Sequence, residues 1–354
     1  MTITNDLHVA SFEPLVPPSA LTAQFPLGEQ RAALVEHSRQ QVRAVLTGED
    51  DRLLVVVGPC SVHDTKAALD YARRLAAAAE QHSRDLCIVM RVYFEKPRTT
   101  LGWKGLINDP GLDGTYDVQR GLRMARQLLL DILDLGVPVG CEFLDPISPQ
   151  YIADTVTWGA IGARTTESQV HRQLASGLSM PVGFKNATDG SVGVSIDACH
   201  VGRSSHVFFG VDADGRASVV TTTGNEDCHV ILRGGKTGPN YQAGPVGQTL
   251  AAMEKAGLKH RLVVDASHGN SGKDHIRQAG VAAEIAEQVA AGQTGIAGVM
   301  LESFLVGGRQ DLESGLPLTY GQSVTDACMS WAATEEALAT LARSVVARRT
   351  QAAQ

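Results

Sequence analysis

Eight short apolar runs recur along this chain, and nearly every one ends on a residue able to bind an anion or a metal. They are LLVVVGPCS (53–61), LCIVMRVYFEK (86–96), PVGCEFLD (138–145), AIGAR (160–164), PVGFKN (181–186), HVILRGG (229–235), RLVVDASHG (261–269) and GVMLESF (298–304). Unbroken Val/Ile/Leu runs of this length suit parallel strands buried on both faces. Segments with apolar residues at three- and four-residue intervals lie between them, such as KAALDYARRLAAAAEQ (66–81) and GLRMARQLLLDILDLG (121–136), and read as helices. SPQYIADTVTW and TESQVHRQLASG are expected to be the next two. Strand and helix alternating eight times predict an α/β fold, a (β/α)8 TIM barrel, in which all strand C-termini converge on one face. Groups spread over the whole chain would then line one cavity.

Two gaps are too long for simple connections. Residues 97–117 (PRTTLGWKGLINDPGLDG and its flank) are polar and Gly-rich, and read as an active-site loop. Residues 206–223 hold two β-rich runs around DADG, a hairpin inserted before the sixth barrel strand. Residues 1–45, with a Pro-rich stretch and then a helical one, are not needed to close a barrel. They read as an extension for oligomerisation or regulation, with the catalytic barrel spanning 46–354. TDACMSWAATEEALATLARSVVARR reads as the closing helix.

Composition excludes several classes. Net charge is −7 and no basic block occurs, which argues against nucleic acid and anionic membranes as partners. No signal-like apolar segment and no stretch long enough to span a bilayer is present, so a cytoplasmic enzyme is expected. The six cysteines lack CxxC or framework spacing and read as reduced thiols.

The chemistry lies in the run ends. Arg91, Lys96, Arg98, Arg164, Lys185, Arg233 and Lys236 fall at or just past predicted strand ends, where a solvated outer helix face cannot account for them. So many cations repel unless anions neutralise them, and carboxylates such as Glu142 are too few, so one polyanionic or two anionic substrates are expected. Cys60, His268, Glu302 and Asp326 could form a mixed soft/hard ligand set, suited to Mn, Fe, Co or Zn rather than Mg or Ca. The other reading of these four is a small buried thiol and a helix cap. Lys96 and Lys185 leave a Schiff-base aldolase open as an alternative enzyme, and an inactive effector-binding protein is the non-enzymatic one. His63, His171 and His206 read as helix-start or polar surface residues.

GPCSVHD, MRVYFEKPRTTLGWKGLINDP, GAIGARTTESQ, PVGFKN, VILRGGK, DASHGN and YGQSVTDAC resemble the blocks of the type I, aromatic-effector-sensitive 3-deoxy-D-arabino-heptulosonate-7-phosphate (DAHP) synthases, from about residue 15 to residue 345. KPRTT stands where arabinose 5-phosphate-using relatives carry a KANRSS-like loop. The resemblance implies metal-dependent condensation of phosphoenolpyruvate with erythrose 4-phosphate and water, the entry step to aromatic amino acids. It implies Cys60, His268, Glu302 and Asp326 as metal ligands, with Arg91, Lys96, Glu142, Arg164, Lys185 and Arg233 at phosphoenolpyruvate. Arg98 and Thr99 would hold the sugar phosphate, and Lys96 would transfer the proton. It further implies a homodimer or homotetramer and a feedback pocket for an aromatic amino acid, formed by the extension, the hairpin and the third to fifth βα units. Pro146, Ile147, Gln150 and Ser179 would line that pocket; Pro146, Gly177 and Met180 favour Tyr as the effector, whereas ESFL and PLTYGQS look Trp-type.

Overall fold

The computed structural model of the protein describes residues 4–98, 102–312 and 317–353. Two helices precede the sheet, α1 (Pro18–Gln24) and α2 (Glu29–Thr47). The chain then runs β1 (Leu53–Gly58), α3 (Thr65–Gln81), β2 (Leu86–Arg91), α4 (Val118–Asp134), β3 (Val139–Glu142), α5 (Pro149–Ile152), β4 (Trp158–Ile161), α6 (Gln169–Gly177), β5 (Val182–Lys185) and α7 (Gly193–Gly202). A hairpin, β6 (Val207–Val211) and β7 (Ala217–Thr221), comes next. After it follow β8 (His229–Leu232), α8 (Ala243–Lys255), β9 (Leu262–Asp265), α9 (His268–Ser271), α10 (His275–Ala290) and β10 (Ile296–Glu302). A short parallel pair, β11 (Val306–Arg309) with β12 (Gln322–Ser323), precedes α11 (Trp331–Ala352).

β1, β2, β3, β4, β5, β8, β9 and β10 close into a parallel barrel, with β1 paired to both β2 and β10. All eight are buried along their length, as their apolar runs require. The inserted hairpin pairs antiparallel from Val207↔Thr221 to Val211↔Ala217. Among the described residues no helix is long and apolar enough to cross a membrane. The six cysteines are unpaired.

Local differences from the expected elements have identifiable causes. SPQYIADTVTW forms one α-turn and a 3-10 turn (Ala153–Thr155) rather than a helix. Its Thr157 N–H donates to Val139 O at 2.8 Å, so the β-branched tail is drawn into strand pairing. α4 starts ahead of its first periodic residues because Asp117 caps it, accepting from Arg120 N. The last helix starts at Trp331, capped by Ser330, because the preceding residues are taken up in pairing with the end of β10, Met329 N–H donating to Glu302 O. His63 is buried edge-on to Phe304 rather than at the surface.

At the floor of the barrel His229 is buried, its Nδ1 on Asp227 O and its Nε2 accepting from Trp158 Nε1 at 3.1 Å. Burial pushes its pKa down to about 4, from an ordinary value near 6.5. A depressed histidine contributes stability that is complete above the unfolded value and is lost as pH falls from about 6.5 to about 4. The loss should approach about 3 kcal/mol at 1.36 kcal/mol per pKa unit. Denaturant unfolding of wild type and His229→Gln at pH 7 and pH 4.5 should show the steeper decline in wild type; equal declines would remove His229 as its source.

Candidate active site

The C-terminal ends of the strands deliver the polar groups to one mouth. Cys60 follows β1, Arg91 ends β2 and Lys96 lies five residues on; Glu142 ends β3, Lys185 ends β5 and Glu302 ends β10. Arg164 and Arg233 stand on the loops just past β4 and β8, His268 opens α9 just past β9, and Asp326 lies between β12 and α11. A narrow cavity of about 100 Å³ opens there, lined by Lys96, Pro97, Arg98, Glu142, Gly162, Ala163, Arg164, Lys185, Thr188, Arg233, His268, Lys273, Thr325 and Asp326. Lys96, Arg98, Arg164, Lys185, Arg233 and Lys273 face only two carboxylates among its described lining, Glu142 and Asp326. So small and cationic a slot suits a compact polyanion. A Cβ at Gly162 would lie 2.3 Å from Glu142 Oε1, so the glycine leaves that carboxylate where it stands.

Cys60 Sγ and carboxylate oxygens of Glu302 and Asp326 lie within 4.8 Å of one another. His268 Nε2 is 3.6 Å from Glu302 Oε1. Ligands bonded to one ion at about 2.0–2.3 Å stand about this far apart, so Cys60, Glu302 and Asp326 fit a shared thiolate and carboxylate site, with the His268 imidazole beside Glu302. The tautomer of His268 also suits ligation. Ser267 Oγ lies 2.5 Å from Asp265 Oδ1, and a carboxylate can only accept, so the hydroxyl proton points there. Ser267 Oγ, 2.7 Å from His268 Nδ1, must then accept from an Nδ1–H, which leaves the Nε2 lone pair facing Glu302. His268 holds a left-handed φ of +55°, and Lys273 one of +64°, a conformation costly to non-glycine residues.

Charge is balanced locally around these groups. Burial works to raise the Glu302 carboxyl, but His268 and Arg91 hold it below its ordinary value. Asp326 is drawn down to about 2 against its own burial, chiefly by Lys273, whose Nζ is 3.0 Å away. Lys96 donates to Cys60 O and Cys60 Sγ, both at 3.2 Å. Burial opposes its charge, yet Cys60 and the carboxylates keep its pKa above the ordinary value, so it is an ammonium at neutral pH. Burial and Glu302 push the Cys60 thiol up.

Some expected residues are placed differently. Arg91 is fully buried beneath the cavity and does not line it. Its guanidinium donates to Pro59 O, Cys60 O and Glu302 Oε1, and lies 3.8 Å over the Tyr93 ring, so it braces a candidate metal ligand from below. Lys236 lies in a turn, its N–H on Thr188 O, and does not line the cavity. Thr99 lies outside the described residues. Of the four expected effector residues, Gln150 and Ser179 share a cavity of about 800 Å³ with α2, whereas Pro146 and Ile147 do not line it. The reason is Glu95: its buried carboxyl accepts Asp145 N–H at 3.1 Å and Ser148 Oγ at 2.8 Å, pinning both ends of the bend and leaving Pro146 and Ile147 exposed. Sequence reasoning missed Thr188, Lys273 and Thr325 in the cavity, and Asp265, which is wholly buried between Lys185 and His268.

Comparison with known proteins places the chain in a family. The profile of the DAHP synthetase I family matches residues 25–339. The chain is 57% identical to a phospho-2-dehydro-3-deoxyheptonate aldolase of Corynebacterium glutamicum, over 99% of this chain and 96% of the relative. It is 54% identical to the Phe-sensitive enzyme of that name from Escherichia coli K12, covering 98% of both chains. A tyrosine-inhibited enzyme of that name from Schizosaccharomyces pombe is 50% identical over 98% of this chain and 95% of its own. The solved structure of phospho-2-dehydro-3-deoxyheptonate aldolase from Francisella tularensis SCHU S4 superposes with a TM-score of 0.95 at 48% identity, covering 97% of this chain and all of that one. With a barrel of this topology and matches that run nearly end to end, the chain belongs to the DAHP synthetase I family.

Proposed function

We propose that this mouth condenses phosphoenolpyruvate with D-erythrose 4-phosphate and water, giving DAHP and inorganic phosphate, the first step of the shikimate pathway. The observation that carries the reading is one slot in which six cations adjoin a Cys/Glu/Asp cluster with His268 beside it. Lys185, Arg164 and Arg233 hold the phosphate and carboxylate of phosphoenolpyruvate, and Arg98 with Thr99 holds the sugar phosphate. Arg91 acts from beneath, fixing Glu302.

Cys60, His268, Glu302 and Asp326 would hold a divalent Mn, Fe, Co or Zn ion, which supplies Lewis-acid polarisation of the aldehyde oxygen when bound. The enol carbon of phosphoenolpyruvate forms the new C–C bond to the aldehyde carbon. Lys96, held as an ammonium beside Cys60, delivers a proton to the oxygen on which negative charge develops. Water adds to the former C2, and phosphate leaves with cleavage of its bond to that carbon. With Asp326 assigned to the metal, Glu142 is the remaining cavity carboxylate able to take the water's proton. A Schiff-base route would need a neutral lysine, which the charge on Lys96 disfavours.

Regulation and assembly follow from surfaces that catalysis does not use. The relatives include Phe-sensitive, Trp-sensitive and tyrosine-inhibited enzymes. An aromatic amino acid, Tyr in the first instance, is read as the feedback inhibitor here. Residues 16–25 touch both candidate regulatory elements: Tyr151 Oη donates to Val16 O, Arg126 Nε to Phe25 O, and Ser19 N–H to Ala213 O, each at 2.7 Å. Val207, Phe209 (94% exposed) and Val219 on the hairpin, with Leu7 and Phe12 on the extension, present apolar surface that supports a homodimer or homotetramer. The compartment proposed is the cytoplasm.

The test is phosphoenolpyruvate consumption dependent on erythrose 4-phosphate, with and without EDTA, then with each aromatic amino acid. Consumption should require the sugar phosphate and stop with EDTA. Borohydride with substrate should leave activity intact, whereas covalent trapping would favour the aldolase. Tyr should inhibit with a coupling of about 1–3 kcal/mol. Deleting residues 1–15, which spares the buried Leu21, should abolish that inhibition and keep the activity. A truncated enzyme inhibited at the same Tyr concentration would remove the extension from the regulatory reading.

A further inference from the structure

Asp265, the last residue of β9, is fully buried, yet its two oxygens serve different parts of the site. Oδ1 accepts the Ser267 hydroxyl at 2.5 Å and the Ser267 N–H at 3.0 Å. Oδ2 lies 3.0 Å from Lys185 Nζ and 2.9 Å from His268 Nδ1, and neither approach is aligned as a hydrogen bond. These two contacts are therefore held by charge and distance rather than by direction.

We propose that Asp265 is a positioning residue that couples metal binding at His268 to binding of the anionic substrate at Lys185. The proposal rests on the metal and phosphoenolpyruvate assignments made above. When a substrate anion takes up the Lys185 ammonium, less of that charge is spent on Asp265, whose carboxylate then backs His268 more strongly. A carboxylate behind a ligating imidazole raises its basicity and tightens the metal. In the other direction, a cation on Nε2 makes Nδ1–H a stronger donor to Ser267 Oγ, whose hydroxyl bonds Asp265 Oδ1, and the added positive charge draws on Oδ2 and loosens its hold on Lys185. Linkage requires the two effects to be equal in size. Direct attraction between a divalent cation and the substrate adds coupling that does not pass through Asp265, so removing its charge should reduce the coupling rather than erase it.

The experiment uses the full-length protein, Mn2+ and phosphoenolpyruvate without the sugar phosphate, so that no turnover occurs. Calorimetry gives the Mn2+ affinity with and without phosphoenolpyruvate, and the reciprocal pair, with Mn2+–phosphoenolpyruvate association in buffer subtracted. Wild type should show a coupling factor of at least about tenfold, within the usual range for linked sites. In Asp265→Asn that factor should fall at least about fivefold. Ser267→Ala keeps the carboxylate but removes the hydroxyl between it and His268, and should lower the factor about twofold with a native melting temperature. If Asp265→Asn does not fold, Ser267→Ala decides the matter alone. Weaker affinities with an unchanged factor would make Asp265 a separate support for each site and overturn the coupling. Wild-type Mn2+ binding indifferent to phosphoenolpyruvate would overturn it too, leaving the metal assignment standing. No Mn2+ binding by wild type would overturn both.

Discussion

Cys60→Ser is expected to lower activity at stoichiometric metal by at least about 100-fold, the most that losing even an outer-shell partner of a ligand usually costs. The thiol is fully buried, its Sγ grouped with Glu302 and Asp326 within 4.8 Å. A serine hydroxyl nearly fills its volume, so packing survives while the softest donor is lost, and at neutral pH a hydroxyl is a far poorer ligand than a thiolate. EDTA dialysis should silence the wild type, and Mn2+ or Fe2+ should restore it. Calorimetry should show Mn2+ bound much more weakly by the variant, with its melting temperature in the absence of metal near that of wild type. A metal-stripped wild type with full activity would dismiss the metal site altogether.

Lys96→Met should reduce kcat by at least about 100-fold, the low end of what a positioned acid or base contributes. Methionine preserves much of the stem, so the loss reports the ammonium that lies 3.2 Å from Cys60 Sγ. Steady-state kinetics with each substrate varied separates the roles. An unchanged kcat with a raised KM for either substrate would show Lys96 to be a binding residue without a part in proton transfer.

The barrel was plain in the sequence because strands buried on both faces read as unbroken apolar runs, and each run stopped close to where its strand does. That same property hid the finer placement. A strand without two-residue alternation gives no sign of which side chains point into the barrel and which toward its helices. Arg91 and Arg233 therefore looked alike at their strand ends, although one is sealed under Glu302 and the other lines the cavity. Asp265 stood in plain view within DASHG, but only the fold shows it between Lys185 and His268. Lys273 lies past any strand end, delivered by a left-handed backbone turn that no periodicity announces. The bend at Pro146 and Ile147 depends on Glu95, some fifty positions earlier, a tie that local reasoning cannot supply.

The seam of the barrel bears on how the molecule is made. β1 lies against β10, Leu54 beside Gly298 and Gly58 beside Glu302, so the first strand synthesised waits for the last before the ring can shut. Until then a nascent chain carries an open, apolar strand edge, the kind of surface that invites pairing with a neighbour on the same ribosome track. α11 then fastens the join, Arg349 reaching Asp51 just ahead of β1 and Asp85 just ahead of β2, and Arg348 donating to Asp51 O. Every candidate ligand has emerged by Asp326, yet the ring that holds them is clasped by α11, which follows at Trp331–Ala352.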